Sequence, residues 1–211
     1  MRKGFVLVKL AIAGLIVAAI IGQFAQSWSM VADRAAFAVN FFSFFTILSN
    51  ALSAVVVFVA AGVSLRRRQD SARFTLVRAA VVTYMTTTLV VYNLLLRDIS
   101  LDQATTLPWS NEILHVWAPL LLLVDWVFAP GRARLAWNQL WLMVVFPLAW
   151  AVYTMVRGVI VGWYPYPFLD PNVAPGVGYD GVAVYVVAIA AFILLVGAGV
   201  IGLTRVGRSR R

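Results

Sequence analysis

Six long apolar runs, separated by short polar connections, dominate the chain. They cover about residues 5–23, 40–64, 74–96, 111–128, 138–157 and 181–203. Because a helix rises 1.5 Å per residue, about 20 apolar residues cross a hydrocarbon core of about 30 Å. The pattern predicts an all-α polytopic integral membrane protein, built as a single domain of six transmembrane helices over residues 1–211.

The first run has a second interpretation, because Arg2 and Lys3 before an apolar stretch are also typical of a signal peptide. No small-x-small cleavage motif follows this stretch. We therefore expect a retained helix.

Composition supports a membrane protein. The chain is 63% hydrophobic and 12% charged, with a mean hydropathy of +0.90. Soluble chains are about half apolar and about a quarter charged. With no cysteine and one histidine, disulfides, thiolate catalysis and metal sites built from cysteine or clustered histidine are excluded. We expect no cofactor and no metal, and we expect membrane lipids as partners. The oligomeric state stays open.

The net charge of +9 is distributed unevenly. Of the 17 basic residues, 14 fall on the side of the N terminus, and only Arg34, Arg97 and Arg157 fall on the other. The positive-inside rule then predicts that both termini are cytoplasmic, in the cell membrane if the source is prokaryotic. Basic residues clustered at loops argue against nucleic-acid binding.

Polar side chains recur inside the runs, where an unpaired polar group is costly. Those of the second and third runs fall on helical stripes, namely Ser43, Thr46, Asn50 and Ser53, then Thr83, Thr86, Thr87, Asn93 and Arg97. The remaining polar positions are Asn111, Glu112, His115, Tyr153, Thr154, Arg157 and Tyr185. Most lie in the predicted outer half, whereas Asp125 lies close to the inner boundary, where DWVF is interpreted as an interfacial anchor that could pair with Arg132 or Arg134.

Thr46 and His115 are the candidates for chemistry. Counted from the starts of their runs, both lie roughly 6–9 Å below the outer boundary, so they could meet. Each also has an ordinary explanation, because membrane threonines commonly bond their own backbone and histidine can join two helices. Pro119 cannot donate a hydrogen bond to the carbonyl of His115 and should loosen that turn. The loop GWYPYPFLDPNVAPGVGYDG is expected to cap the outer mouth or to be an ordinary interfacial loop.

Two motifs carry a resemblance. With FFTILSN opening the second run and LHVWAPLLLLVDW in the fourth, the chain resembles the family of androgen-induced and androgen-dependent multi-pass membrane proteins. It is most similar to bacterial relatives in which segments like RGVIVGWYPYPFLDP follow the fifth span. The resemblance implies a membrane threonine hydrolase that cleaves fatty-acid esters of hydroxy fatty acids. It places the family threonine on Thr46 and the family histidine on His115.

In such an enzyme, histidine removes the threonine proton as the hydroxyl attacks an ester carbonyl. The candidates to line the approach, stabilise the oxyanion or hold a substrate carboxylate are Ser43, Asn50, Asn93, Arg97 and Arg157. The rival hypothesis is a non-enzymatic lipid-binding or scaffold protein whose polar layer only joins helices. A transporter is disfavoured, because the chain has no detectable internal repeat.

Overall fold

A computed structural model describes residues 2–66, 69–99, 104–173 and 178–206. Within these ranges the protein is all-α, with seven helices: α1 (Arg2–Trp28), α2 (Arg34–Phe41), α3 (Phe45–Arg66), α4 (Ala72–Leu96), α5 (Pro108–Phe128), α6 (Leu142–Val161) and α7 (Gly178–Leu203). All except α2 belong to segments long and apolar enough to cross a membrane. The predicted six-helix membrane architecture is confirmed, while the orientation of the termini stays a prediction.

Burial separates a central pair of helices from a peripheral pair. Among the six spans, α3 and α4 have the largest buried share and α6 and α7 the smallest. α1 packs along α3, and its buried residues include Ile12, Ile16 and Ala19, at spacings of three and four. The exposed apolar side chains of α6 and α7 suit contact with lipid.

The second span begins later than its apolar run suggests. α2 is capped by Asp33, which accepts a hydrogen bond from the amide of Ala36, and it ends at Phe41. A turn follows, and α3 starts at Phe45 rather than at residue 40. Aromatic packing of Phe24 against Phe41 holds α2 onto α1, so this apolar stretch is a separate helix. The stripe predicted from Ser43 to Ser53 therefore lacks its first member.

One end of the bundle, which we call the basic end, contains the α3–α4 and α5–α6 connections. There the amide of Asp70 donates to the carbonyl of Gly131, and the amide of Leu135 donates to the hydroxyl of Thr204 after α7. In the predicted orientation this end faces the cytoplasm. The opposite end carries the site described below.

Four buried charges lie near the basic end. Asp125 accepts from Lys9 at 2.6 Å and from Arg78 at 3.0 Å, and Arg78 also binds Asp70. All four side chains are at least nine-tenths buried. Asp125 is thus a buried partner of α1 and α4, and its ion pairs are with Lys9 and Arg78, where the sequence predicted Arg132 or Arg134. A charge this deep in the bundle is tolerated because opposite charges surround it.

Candidate active site

Thr46 and His115 meet at the end of the bundle opposite the basic end. Thr46 is the second residue of α3, and His115 lies in the first half of α5. The distance from Thr46 Oγ1 to His115 Nε2 is 3.2 Å, and Thr46 is only 7% exposed. The proximity inferred from depth along the two helices is present in the structure.

The second ring nitrogen of His115 sets the direction of this hydrogen bond. His115 Nδ1 lies 3.0 Å from the backbone carbonyl of Asn111. A carbonyl only accepts, so Nδ1 carries the proton and Nε2 of the neutral ring is an acceptor. Thr46 therefore donates its hydroxyl proton to Nε2. This is the tautomer that a general base needs.

A π-helical turn, Ile113–Trp117, presents the imidazole. The amide of Ala118 donates to the carbonyl of Ile113, five residues earlier, where an α-helix would reach back four. Pro119 provides no amide hydrogen for the carbonyl of His115, which fits the loosened turn expected from the sequence. π-turns often occur at functional sites because they redirect a side chain without ending the helix.

A second π-turn, Tyr92–Leu96, faces the first across the site. The ring of Tyr92 stacks on the imidazole of His115, and its hydroxyl accepts a hydrogen bond from the side-chain amide of Asn111. Asn111 is thus bound to Tyr92 by its side chain and to His115 by its carbonyl. These contacts fix the plane of the imidazole.

Tyr166 completes the site from the α6–α7 connection. Its hydroxyl lies 3.2 Å from Thr46 Oγ1 and accepts from the amide of Thr46 at 3.2 Å. Burial raises the pKa of Tyr166, so it keeps its proton. Because the Thr46 proton points to His115, the Tyr166 proton points to Thr46 Oγ1. The result is one directed chain, from Tyr166 through Thr46 and His115 to the Asn111 carbonyl.

The connection after α6 turns back to bring Tyr166 inward. Gly162 ends α6 with a positive φ of 68°, which favours glycine. The ring of Tyr164 then packs on Gly158 so closely that a Cβ there would lie 2.0 Å from it. Phe168 stacks on Tyr166 with centroids 5.3 Å apart. In its described part, this loop does cover the site, one of the two roles expected for it.

Two cavities adjoin Thr46, and Tyr92, Leu96 and Tyr166 line both. The first, which we call the apolar groove, encloses about 80 Å³ between α4, α6 and α7. The second, which we call the polar chamber, encloses about 340 Å³. The polar side chains that line the chamber include Gln23, Arg97, Asp98, Ser110, Asn111 and His115. Thr46 thus lies where a hydrocarbon-like space meets a polar one.

The structure places Ser43 and Asn50 beside Thr46 in sequence but gives them other partners. The Ser43 hydroxyl donates to the carbonyl of Val39 and contacts the hydroxyl of Tyr153. Asn50 is fully buried, and its amide nitrogen donates to the carbonyls of Thr46 and Leu114. With both amide hydrogens engaged, Asn50 joins α3 to α5 next to the site and has none left for an oxyanion.

The remaining candidates, Asn93, Arg97 and Arg157, differ in their distance from the cavities at Thr46. Arg97 lines the polar chamber, where it binds Glu112 at 2.9 Å and Asn93 at 2.8 Å. Asn93 is exposed: its amide nitrogen donates to the carbonyl of Leu89, and its amide oxygen accepts from Arg97. Arg157 donates to Asn40 at 2.6 Å and lies over the ring of Trp163. Only Arg97 of these three borders the cavities at Thr46.

Tyr92 and Tyr166 are the site residues that sequence reasoning did not single out. Tyr166 had an available signal, since YPYP lies in a loop expected to cap the mouth. Tyr92 had none, because one aromatic residue among the apolar residues of α4 is indistinguishable from packing. Comparisons of the chain with known protein families, curated proteins and solved structures find no match.

Proposed function

We propose that this protein is an intramembrane lipid ester hydrolase with Thr46 as nucleophile and His115 as general base. The observation that carries the proposal is the 3.2 Å contact from Thr46 Oγ1 to an acceptor Nε2. Its setting adds support, because the contact lies at the junction of an apolar and a polar cavity.

The reaction takes two acyl-transfer steps. Thr46 Oγ1 attacks the ester carbonyl carbon while its proton moves to His115 Nε2. The tetrahedral intermediate collapses with cleavage of the bond to the alcohol oxygen, which takes the proton from His115 and leaves as the alcohol. Water then attacks the acyl-threonine and gives its proton to His115. Release of the fatty acid returns that proton to Thr46.

The negative charge that develops on the carbonyl oxygen has two sources of stabilisation nearby. Tyr166 provides a phenolic proton beside Thr46. The first turn of α3 begins at Phe45, so the positive end of the helix dipole lies at Thr46. Such fixed donors in a dry site are worth several kcal/mol in the transition state. Tyr166 is a stronger candidate for this role than Asn50 or Asn93.

The substrates are acyl esters drawn from the membrane. The resemblance in the sequence motifs points to fatty-acid esters of hydroxy fatty acids, and Arg97 at the polar chamber is a candidate to hold their free carboxylate. In the orientation predicted from the basic residues, the site lies toward the extracytoplasmic side.

The test uses purified protein with a fluorescent fluorophosphonate probe and a fatty-acid ester of a hydroxy fatty acid. Thr46→Ala and His115→Ala are expected to lose labelling and hydrolysis, while Thr46→Ser keeps a nucleophile. Ser53→Ala is the matched control, since Ser53 is a buried α3 hydroxyl that donates to the carbonyl of Ser49. Full activity in a folded Thr46→Ala protein would refute the assignment.

The alternative is a non-enzymatic lipid-binding or scaffold protein. One observation favours it: Ser53, Thr83 and Thr87 all donate to carbonyls four residues earlier, so much of the polar layer satisfies helix backbones. Thr46 differs from them in bonding two side chains of other segments. An inactive wild type across a broad panel of lipid esters would favour the scaffold.

A further inference from the structure

The apolar groove follows regular stripes on two helices. Its lining residues on α6 and α7 repeat at spacings of three and four, namely Val144, Pro147, Leu148 and Ala151, then Val186, Ile189, Ala190 and Ile193. α4 contributes Thr87, Thr88, Val91, Tyr92 and Leu96. Residues at these spacings share one face of a helix, so the groove runs along the helices rather than across them.

The groove is short and narrow. On both α6 and α7 its lining spans eight residues, and the seven helical rises between the first and the last correspond to a length of about 10 Å. A volume of about 80 Å³ over that length leaves a narrow space. Because most of its lining is apolar, this space suits a hydrocarbon chain.

The two ends of the groove differ. At one end are Thr46 and Tyr166, beneath the α6–α7 connection. At the other end Val144 and Ile193 pack in a buried cluster that includes Met143 and Trp126, so the groove stops there. A hydrocarbon chain that enters the groove at Thr46 is therefore blocked at the far end by Val144 and Ile193, which we call the floor of the groove.

The groove also borders the lipid-facing surface. Leu148 lines it and is 42% exposed on α6. Near the reactive end, the rings of Phe45 and Trp150 lie 5.1 Å apart and form its wall between α3 and α6. A hydrocarbon chain can thus reach the groove from the membrane without crossing a polar surface.

We propose, resting on the ester hydrolase proposed above, that the apolar groove receives the acyl chain of the substrate and selects straight acyl chains by length. The alcohol half of the ester then lies on the side of the polar chamber. Ala190 is the specificity-determining residue, because its small side chain lies about 6 Å beyond Val186 and leaves the deeper part of the groove open. A larger side chain at position 190 moves the floor toward Thr46.

The first experiment measures kcat/KM for umbelliferyl butyrate, octanoate and palmitate with wild type, Ala190→Leu and Ala190→Phe. The expected result is a loss of about tenfold or more for palmitate relative to butyrate, with the cut-off shorter in Ala190→Phe. Retained butyrate hydrolysis shows that the variants fold. Ala191→Leu, on the exposed side of the same helix, is the matched control and should keep the wild-type profile. An unchanged ratio in the Ala190 variants overturns the proposal.

A second readout separates chain binding from catalysis. Photoactivatable palmitic acid with a diazirine near its methyl end is crosslinked to the Thr46→Ala protein, and the labelled peptides are mapped by mass spectrometry. Labelling of the α6 and α7 lining that falls in Ala190→Leu but not in Ala191→Leu supports the groove as the chain site. Labelling without hydrolysis by wild type would refute the esterase and leave the groove assignment standing. Hydrolysis without such labelling would refute the groove assignment alone.

Discussion

The rings of Tyr92 and His115 stack with their centroids 4.0 Å apart and their planes inclined by 22°. The contact joins two π-turns on neighbouring helices, and the Tyr92 hydroxyl also holds Asn111, whose carbonyl binds His115 Nδ1. Tyr92 meets the imidazole with the face of its ring, and its hydroxyl is bonded to Asn111, so we infer that it positions the imidazole. A general base must keep its orientation to be efficient.

Removing this stacking contact should lower turnover. Tyr92→Leu is expected to reduce kcat by about 10-fold to 100-fold, because the imidazole loses its fixed plane. Tyr92→Phe keeps the ring and should lose less. Steady-state kinetics on an acyl ester would check both variants, with thermal unfolding in detergent as the folding control. Equal rates for Tyr92→Leu and wild type would show that the stacking is only packing.

The Tyr166 hydroxyl should matter more for the rate than for binding. Tyr166→Phe is expected to lower kcat by about 100-fold with little change in KM, since an oxyanion donor acts mainly in the transition state. Tyr185→Phe is the control, because Tyr185 is an exposed tyrosine of α7 whose ring also packs against Phe168. A change confined to KM would instead assign Tyr166 to substrate binding.

The spans were predictable because hydropathy reports the solvent of each segment directly. Hydropathy did not show that one apolar stretch is divided between two helices. Residues 40–44 are as apolar as those that follow, yet the chain turns there because α2 packs on α1 through Phe24 and Phe41. That packing is a tertiary interaction, which has no signature in a single run of sequence.

The site was predictable only in part, for a related reason. Depth along two helices brought Thr46 and His115 together, since rise per residue is constant. Helical phase was less reliable, because it assumes a regular helix and α4 changes to a π-turn at Tyr92, where Asn93 is exposed. Tyr166 reaches Thr46 across 120 residues of sequence through an irregular loop, and no periodicity predicts such a contact.

Alkaline pH should destabilise the protein in a way that depends on Tyr166. Burial raises its pKa above the ordinary value of 10.0, so the folded protein holds this proton more tightly than the unfolded chain. The resulting stability is fully present below about pH 10 and is lost as pH rises through the folded pKa. Unfolding midpoints in detergent should fall more steeply above pH 10 in wild type than in Tyr166→Phe. Part of the slope should remain, because burial also raises the pKa of Tyr164.

Substitution of Arg97 and substitution of Arg157 should have different effects on the KM for esters that carry a carboxylate. Arg97 borders the polar chamber, whereas Arg157 binds Asn40 beside Trp163. Arg97→Gln is expected to raise KM for esters that carry a carboxylate and to leave neutral esters unchanged. Its stability should change by less than about 1 kcal/mol, since the ion pair with Glu112 is about 40% exposed. If Arg157→Gln alone shows the carboxylate effect, the anion site lies elsewhere.

The buried charges near the basic end should control stability rather than chemistry. Asp125 neutralises both Lys9 and Arg78, whereas Lys9 is held by Asp125 alone among the ion pairs of the described residues. Asp125→Asn therefore removes the ion-pair partner of Lys9 and leaves Arg78 with Asp70, and it should cost about 3–5 kcal/mol. Lys9→Met leaves Asp125 with Arg78 and should cost clearly less.

The comparison of these two variants distinguishes a charge network from ordinary packing, because methionine fills nearly the volume of the lysine stem. Unfolding followed in a fixed detergent gives both values. Because the network lies near the end of α5 that is opposite His115, folded protein of either variant should keep the wild-type kcat. A larger loss of unfolding free energy in Lys9→Met than in Asp125→Asn would contradict the charge network. It would mean that Asp125 does not neutralise both cations and that Lys9 stabilises the bundle mainly through its contacts along α1.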